Sequence, residues 1–345
     1  TPFRFDEDPS RRCVAGQREF PSPFTRTGFG IDGMIKPDVV EFGGDEVFDR
    51  TGVGRDPGVG IPTTAKDFAP PDGRLFRCVF GTSFAAPAVS NIAARLFGRF
   101  PGASSNLIRA LIADSARVPL DRPEDLRENP WAESVLRVYG YGRPSFDRAA
   151  FSDQSEVLLI AEDEIPVDNF HLYEVPPLPD EFFEQDGDRF LSVTLAYDPP
   201  TRHTRGDSYQ GVTMECHLFR NILLANVQAL FRDWRQAPAE DHEEELEERM
   251  GNLRSSQRVN LQPGVNRRKK GTLQKGTIRI GSRTWHYDGR PMILAVACLQ
   301  KWAPADVSSQ RYAVVVSLRH TGDGVRLHDR LRQHARVAQR IRIRV

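Results

Sequence analysis

Apolar side chains at residues 85, 88, 89, 92, 93 and 96 repeat at a spacing close to 3.6 and predict a helix over 83–97 with a stripe broad enough to be buried. A second, shorter amphipathic helix is predicted over 104–113. Upstream, Asp32-Gly33 favours a turn, Val39-Val40 favours a strand, and Gly43-Gly44 breaks it. The loop that follows, about 44–78, is rich in Gly, Pro and Asp. Farther along, the period changes to two. Phe190–Tyr197 alternates and stops at Asp198-Pro199-Pro200, and further strands are predicted over 272–280, 291–299, 311–319 and 337–345. The stretch 218–234 reads as a helix. Several short strands separated by turn signals predict an antiparallel sandwich. In the last strand, arginines at 340, 342 and 344 alternate with Ile341, Ile343 and Val345, as suits an edge that resists pairing with other chains.

A length of 345 residues suggests two domains, divided here at 154/155. Acidic and basic residues balance at 47 each, so no global field draws the chain to nucleic acid or to an anionic membrane. Locally the charge is uneven. Residues 153–190 are acidic, with a turn-rich 176–188, and 240–248 hold seven carboxylates in nine positions, which reads as a solvated helix face or linker. Arg267-Arg268-Lys269-Lys270 is read as a turn before the next strand. It lacks the interleaved aromatics and signature of an RNA-binding site. The four cysteines, Cys13, Cys78, Cys216 and Cys298, form no CxxC pair, which excludes the common zinc and thioredoxin-like spacings. Two disulfides are arithmetically possible, yet a chain of this size does not need them, and a reducing, cytoplasmic setting fits better. No apolar run approaches the length of a membrane span, and phosphate-loop, kinase and metallopeptidase signatures are absent.

The chemistry concentrates in Gly81-Thr82-Ser83-Phe84-Ala85-Ala86-Pro87. Ser83 stands at the first turn of the predicted helix, where unpaired N–H groups and the positive dipole end face outward. An oxyanion formed on an acyl carbon attacked by Ser83 finds a donor there. Pro87 is tolerable only if the helix begins near 83, and Ala85 and Ala86 keep the helix slim. The plain alternative is an ordinary serine N-cap. The seven residues resemble the serine-nucleophile segment of the subtilisin-like serine peptidases, G-T-S-x-A-x-P. The stretch from Asp32 through Lys36-Pro37-Asp38-Val39 to Gly43 or Gly44 resembles the strand that precedes it in that family. Tyr139-Gly140-Tyr141-Gly142-Arg143-Pro144, followed by Phe146-Asp147-Arg148-Ala149, resembles the closure of the peptidase domain.

The resemblance implies an α/β fold, with the C-terminal part of a subtilisin-like parallel-sheet domain over 1–154. An antiparallel, jelly-roll-like β-sandwich over 155–345 resembles the accessory domain of some bacterial family members. It implies peptide-bond hydrolysis through an acyl-enzyme on Ser83, with Thr82 shaping the oxyanion wall, on a peptide or protein substrate and without an organic cofactor. Calcium is frequent in the family, but no complete oxygen-ligand set is assignable in this sequence. A serine hydroxyl needs a base, and the base an orienting group. The family order is Asp, His, Ser, whereas His171, His203, His217, His242, His286, His320, His328 and His334 all follow Ser83. The family's side-chain Asn oxyanion donor has no counterpart either. The expectation is therefore an incomplete, C-terminal portion of a peptidase, with the missing N-terminal part of the domain as its partner. His203, in a loop-like Pro-rich context, and His217, beside Cys216, are read as ordinary histidines rather than substitute bases. The competing expectation is a non-catalytic binding or regulatory β-sandwich module attached to a peptidase-fold remnant.

Overall fold

Strand order follows from where the chain is apolar on one face and where on two. In the computed structural model, residues 10–66, 73, 75–152, 155–202, 204, 208–238, 241–281, 285–322 and 327 are described. They group by contact into two units, one drawn from 1–30, 35–100 and 115–146, the other from 31–34, 101–114 and 147–345.

The first unit has little sheet. Strands β1 (Arg12–Cys13), β2 (Val47–Asp49) and β3 (Gly52–Gly54) form one small antiparallel sheet, and β4 (Ile61–Thr64) pairs with β5 (Phe76–Val79) in another. Helix α1 (Thr82–Arg99) follows directly. Val39 and Val40 do not form the predicted strand. Their stretch is instead held by isolated backbone bonds, Tyr141 N–H to the Asp38 carbonyl at 2.9 Å and Val40 N–H to the Gly142 carbonyl at 3.0 Å. Every strand ladder among the described residues is antiparallel, so the parallel sheet implied by the resemblance does not appear there. Val39-Val40 has β propensity, but propensity makes a strand only where a neighbour offers a ladder.

Helix α2 (Ser105–Ser115), up to Asp114, groups with the second unit. Beyond it come the short helices α3 (Glu133–Tyr139) and α4 (Phe146–Ala150), and then β6 (Glu156–Pro166), β7 (Asn169–Val175), α5 (Glu181–Glu184), β8 (Arg189–Tyr197) and β9 (Val212–Phe219). The chain continues through α6 (Leu224–Arg235), α7 (His242–Asn252), α8 (Val265–Arg268), β10 (Leu273–Ile280), β11 (Met292–Gln300) and β12 (Ser309–His320). The four strands predicted from 190 to 319 are all present. The fifth, 337–345, lies outside the described residues. The helix predicted over 218–234 is corrected: β9 runs through Phe219, and α6 starts only at Leu224. Apolar spacing alone cannot tell a short buried strand from the start of a helix. The acidic stretch after 153 also contains two strands, β6 and β7, that its charge concealed.

Two antiparallel sheets result, ordered β10-β8-β12-β6 and β7-β11-β9. Their facing sides share one core: Leu191, Val193 and Leu195 on β8 and Val314, Val316 and Leu318 on β12 cluster with Met214 and Cys216 on β9 and Leu294 and Val296 on β11. The opposite face of β11, with Ile293, Ala295, Ala297 and Leu299, clusters with Val227, Phe231 and Trp234 of α6 and Leu246 and Met250 of α7. Strand β11 is thus covered on both faces, which explains its uninterrupted apolar run. The carboxylate-rich stretch is α7, a helix with His242, Leu246 and Met250 buried along one side and its acids on the other.

Helix α2 belongs to the outward face of the larger sheet. Lys275, buried on β10, donates from Nζ to the Ala113 and Asp114 carbonyls at 3.0 and 2.8 Å, at the end of the helix where a cation complements the dipole. The Asp114 carboxylate accepts from Thr194 on β8 and Ser317 on β12, each at 3.0 Å. Arg109 reaches the Tyr197 carbonyl at 3.1 Å and the Thr272 hydroxyl at 2.9 Å. A chain beginning at residue 155 lacks this cover and leaves Lys275 without those acceptors. It should melt about 5–10 °C below a chain beginning at 101. Calorimetry of the two fragments checks this, and equal midpoints would rule out a structural role for α2.

On the α7 side, a charged cluster pins helix to sheet. Glu215 on β9 bonds His217 at 3.1 Å and Lys269 at 3.3 Å, Lys269 reaches Glu243 at 2.8 Å, and Lys301 also bonds Glu243. Burial by itself would raise the Glu215 carboxyl, but the bond to His217 and the charges of His217 and Lys269 outweigh it and hold it below its ordinary value. Glu243 is likewise held low: Lys269 and Lys301 outweigh its burial. Lys269 is held high, because the two carboxylates outweigh its own. Depressed carboxyls contribute stability above their ordinary value of 4.5 and lose it as pH falls through the folded-state value. A raised lysine contributes below 10.5 and loses it as pH rises beyond. The thermal midpoint should therefore fall steeply below pH 4.5, with a shallower acid limb in Glu215→Gln. Lys269→Met, which leaves Glu215 buried beside only a histidine, should cost about 3 kcal/mol at neutral pH. Melting curves across pH 3–7 measure both effects.

Candidate active site

The site is built on the junction between β5 and α1. Gly81 separates them with φ 136° and ψ 159°, a region open essentially to glycine alone. This turn lets the chain pass from strand to helix within two residues, Phe80 and Gly81. Its carbonyl accepts the first bond of α1, from Phe84 N–H at 3.0 Å, and its own N–H donates to the Gly43 carbonyl at 2.8 Å. Helix α1 therefore starts at Thr82, one residue before the predicted position, and places Thr82 and Ser83 in its exposed first turn. Pro87 lies inside the helix, four residues after Ser83, and supplies no N–H to the Ser83 carbonyl. Ser83 N–H is one of the four at a helix start that have no partner within the helix. The Ser83 hydroxyl has no hydrogen-bond partner among the described residues.

Along α1 only Ile92 and Leu96 are buried. Ala85, Val89 and Ala93 are half-buried, and Ala88 is exposed. The predicted stripe is present, but its N-terminal half is only partly covered among the described residues. It borders a cleft of about 670 Å³, lined on the helix side by Thr82, Ala85, Ala86 and Val89 and on the other by Val39, Val40 and Phe42. Ser83 itself is not part of that lining. Phe42 lies between two guanidinium groups, Arg18 at 5.2 Å and Arg143 at 4.9 Å from its ring centre. Arg143 also bonds the Glu19 carboxylate at 3.0 Å, and the Tyr139 hydroxyl donates to the Glu19 carbonyl at 3.2 Å. Burial pushes the Tyr139 phenol up to about 12, so it stays a neutral donor.

Four of the five described histidines have other partners, and the His286 ring makes no hydrogen bond or ion pair among the described residues. His171 bonds the Tyr312 hydroxyl at 2.9 Å, His217 bonds Glu215, His242 bonds the Ala237 carbonyl at 2.9 Å, and His320 Nδ1 accepts from Gly322 N–H at 2.9 Å. His203, His328 and His334 lie outside the described residues. Among those residues, no group of three or more His, Cys, Asp and Glu side chains is placed to hold a metal ion, and no helix is long and apolar enough to cross a membrane. All four cysteines are free thiols, and burial pushes those of Cys216 and Cys298 up, the latter to about 12. The basic cluster is absorbed into the fold: buried Arg268 donates to the Leu261, Pro263 and Cys216 carbonyls, Lys269 joins the charged cluster, and Lys270 lies 3.7 Å from Asp32.

Sequence reasoning placed Ser83 at the first turn of a helix, as it lies, but missed the residues that brace that turn. Gly43 was legible only as a strand breaker, although a glycine after an extended stretch also marks close backbone approach.

Residues 15–142 match the model of the subtilase family, a segment in the N-terminal part of this chain that includes the Asp32–Gly43 and Gly81–Pro87 motifs and ends within the third, at Gly142. Over 322 residues the chain is 40% identical to the uncharacterized protein y4bN of Sinorhizobium fredii (strain NBRC 101917 / NGR234), which covers 92% of this chain and 70% of that protein. The chain thus belongs to one family with y4bN and carries a subtilase-like domain over residues 15–142, in which Ser83 lies.

Proposed function

We propose that this chain carries the nucleophile of a serine endopeptidase. The reading rests on one observation above the others: within the subtilase-like segment, Ser83 occupies the exposed first turn of a helix entered through a glycine-only turn. In the proposed reaction Ser83 Oγ attacks the scissile carbonyl carbon while its proton passes to a histidine base oriented by an aspartate. The carbonyl oxygen becomes an oxyanion facing the Ser83 N–H, with Thr82 forming the adjacent wall. Collapse expels the amine, which takes the proton from the base. Water then hydrolyses the acyl-enzyme by the same steps in reverse. No organic cofactor enters.

The base and its aspartate are proposed to come from polypeptide outside these 345 residues, the N-terminal part of the peptidase domain. The partly covered apolar half of α1 and the cleft beside it favour this, since the small side chains of Ala85 and Ala86 are suited to close packing against a neighbouring element. The two sheets of the second unit are proposed to be an accessory β-sandwich. A cytoplasmic setting agrees with the four free thiols. The alternative, a non-catalytic binding or regulatory module, is favoured by the Ser83 hydroxyl having no base among the described residues.

In the native assembly that supplies the base, a fluorophosphonate probe should phosphonylate Ser83 alone, and Ser83→Ala should abolish the adduct. Equal labelling of that variant would sink the peptidase reading, and mass mapping of the adduct decides it. The 345-residue chain by itself should cleave an unfolded protein substrate at background rate between about pH 7 and 9. The hydroxyl stays protonated without a base, and loss of the Asn donor alone costs about 10²–10³ in kcat. Robust turnover abolished by Ser83→Ala would place the base inside this chain.

A further inference from the structure

Gly43 and Gly81 meet back to back. Besides the 2.8 Å bond from Gly81 N–H to the Gly43 carbonyl, a methyl group built on Gly43 Cα would stand 2.9 Å from the Gly81 carbonyl oxygen and 3.3 Å from its carbon. Gly43 is not in the left-handed region, so its own backbone conformation would tolerate a side chain. What excludes one is the contact with Gly81 alone. The peptide being touched is the one that starts α1, because the same Gly81 carbonyl accepts from Phe84 N–H. Any displacement of Gly81 is therefore passed to Thr82 and Ser83, the next two residues along a rigid helix.

The other side of the clasp is itself held in place. The Ser22 hydroxyl donates to the Gly44 carbonyl, Asp45 N–H donates to the Val59 carbonyl at 3.0 Å, and the Asp45 carboxylate accepts from Ala15 N–H at 3.2 Å. A side chain on Gly44 would press within 3.2 Å of the Phe80 ring and the Val59 carbonyl. The loop at 43–45 is thus anchored to three separate stretches of chain and acts as a fixed stop against which the nucleophile turn rests.

We propose that Gly43 is a positioning residue for Ser83, acting through Gly81; this rests on the reading of Ser83 as the nucleophile. Serine attack needs the hydroxyl oxygen and the Ser83 N–H in place together, and a displacement of about 1 Å in a reacting group can cost 10²-fold in rate. The clasp fixes both at once, because it sets the direction in which the helix begins. A purely structural role for Gly43 would lower stability and leave the chemistry of the folded protein unchanged. A positioning role changes the rate of the bond-forming step in protein that is still folded.

The test uses Gly43→Ala in the native assembly. The first-order rate of fluorophosphonate adduct formation at saturation should fall about 10- to 100-fold, while the half-saturating probe concentration stays within about twofold. An unchanged saturated rate in folded Gly43→Ala overturns the proposal. If that variant does not fold, Ser22→Ala removes the hydroxyl that pins Gly44 without adding volume. It should slow adduct formation about threefold, and a wild-type rate there is equally fatal. Wild-type protein that forms no adduct at Ser83 would overturn the peptidase reading instead. In that event amide hydrogen exchange of the full chain still judges the clasp: Gly81 N–H should be protected in wild type and exchange faster in Gly43→Ala or Ser22→Ala. Fast exchange of Gly81 in wild type would show that no clasp exists.

Discussion

Strands β8 and β11 are buried on both faces, and much of the second unit follows from the need to cover those faces. Inward, β8 and β11 contribute to the same core, which joins the two sheets. Outward, β11 requires α6 and α7, whose Phe231, Trp234, Leu246 and Met250 supply the cover. The outer face of β8 is different, carrying Ser192 and Thr194 with Ala196, and its buried polar groups must be satisfied as well as covered. Helix α2 does both. Its Leu107, Ile108, Ala110, Leu111 and Ala113 are buried, its terminal carbonyls accept from Lys275, and Asp114 accepts from Thr194 and Ser317. The unit is therefore helix, sheet, sheet, helix, rather than two sheets alone.

The segment around Ser83 obeys a different constraint. A strand must end, turn and become a helix within a few residues while leaving a serine and its N–H exposed. Gly81 makes the turn sterically possible and Gly43 gives it a surface to rest on. The small residues after Ser83 keep α1 narrow, and its polar partners come from backbone rather than side chains. This economy also explains why the helix looks unfinished: its C-terminal half is anchored by Ile92, Leu96 and the stacking of Arg95 on Phe146 at 3.6 Å, while its N-terminal half faces the cleft.

Electrostatics act locally throughout. The chain is neutral overall, yet members of its acidic and basic runs are paired within the second unit: Glu243 of α7 meets Lys269 and Lys301, and Arg268 is buried among carbonyl acceptors. Capping the Cys216 carbonyl with Arg268 and the Met214 carbonyl with Gln274 also closes part of the outer edge of β9, which would otherwise present unpaired acceptors. The basic cluster that reads in sequence as a turn before a strand is engaged inside the fold.

Period-two alternation and long apolar runs were enough to place β8, β10, β11 and β12, and the 3.6 repeat was enough for α1 and α2, because those signals depend only on which side of one element is buried. The seven residues around Ser83 likewise pointed to a tight turn into a helix, since glycine and small side chains at fixed spacing are what such a turn needs. Sequence could not reveal that Val39-Val40 stays unladdered, that 218 belongs to a strand, or that the acidic stretch holds β6 and β7. In each case the outcome depends on a partner distant in the chain. The same holds for Gly43, Lys275 and Glu215. Their roles are contacts with Gly81, Ala113 and Lys269, 38 to 162 positions away, and only tertiary structure brings such pairs together.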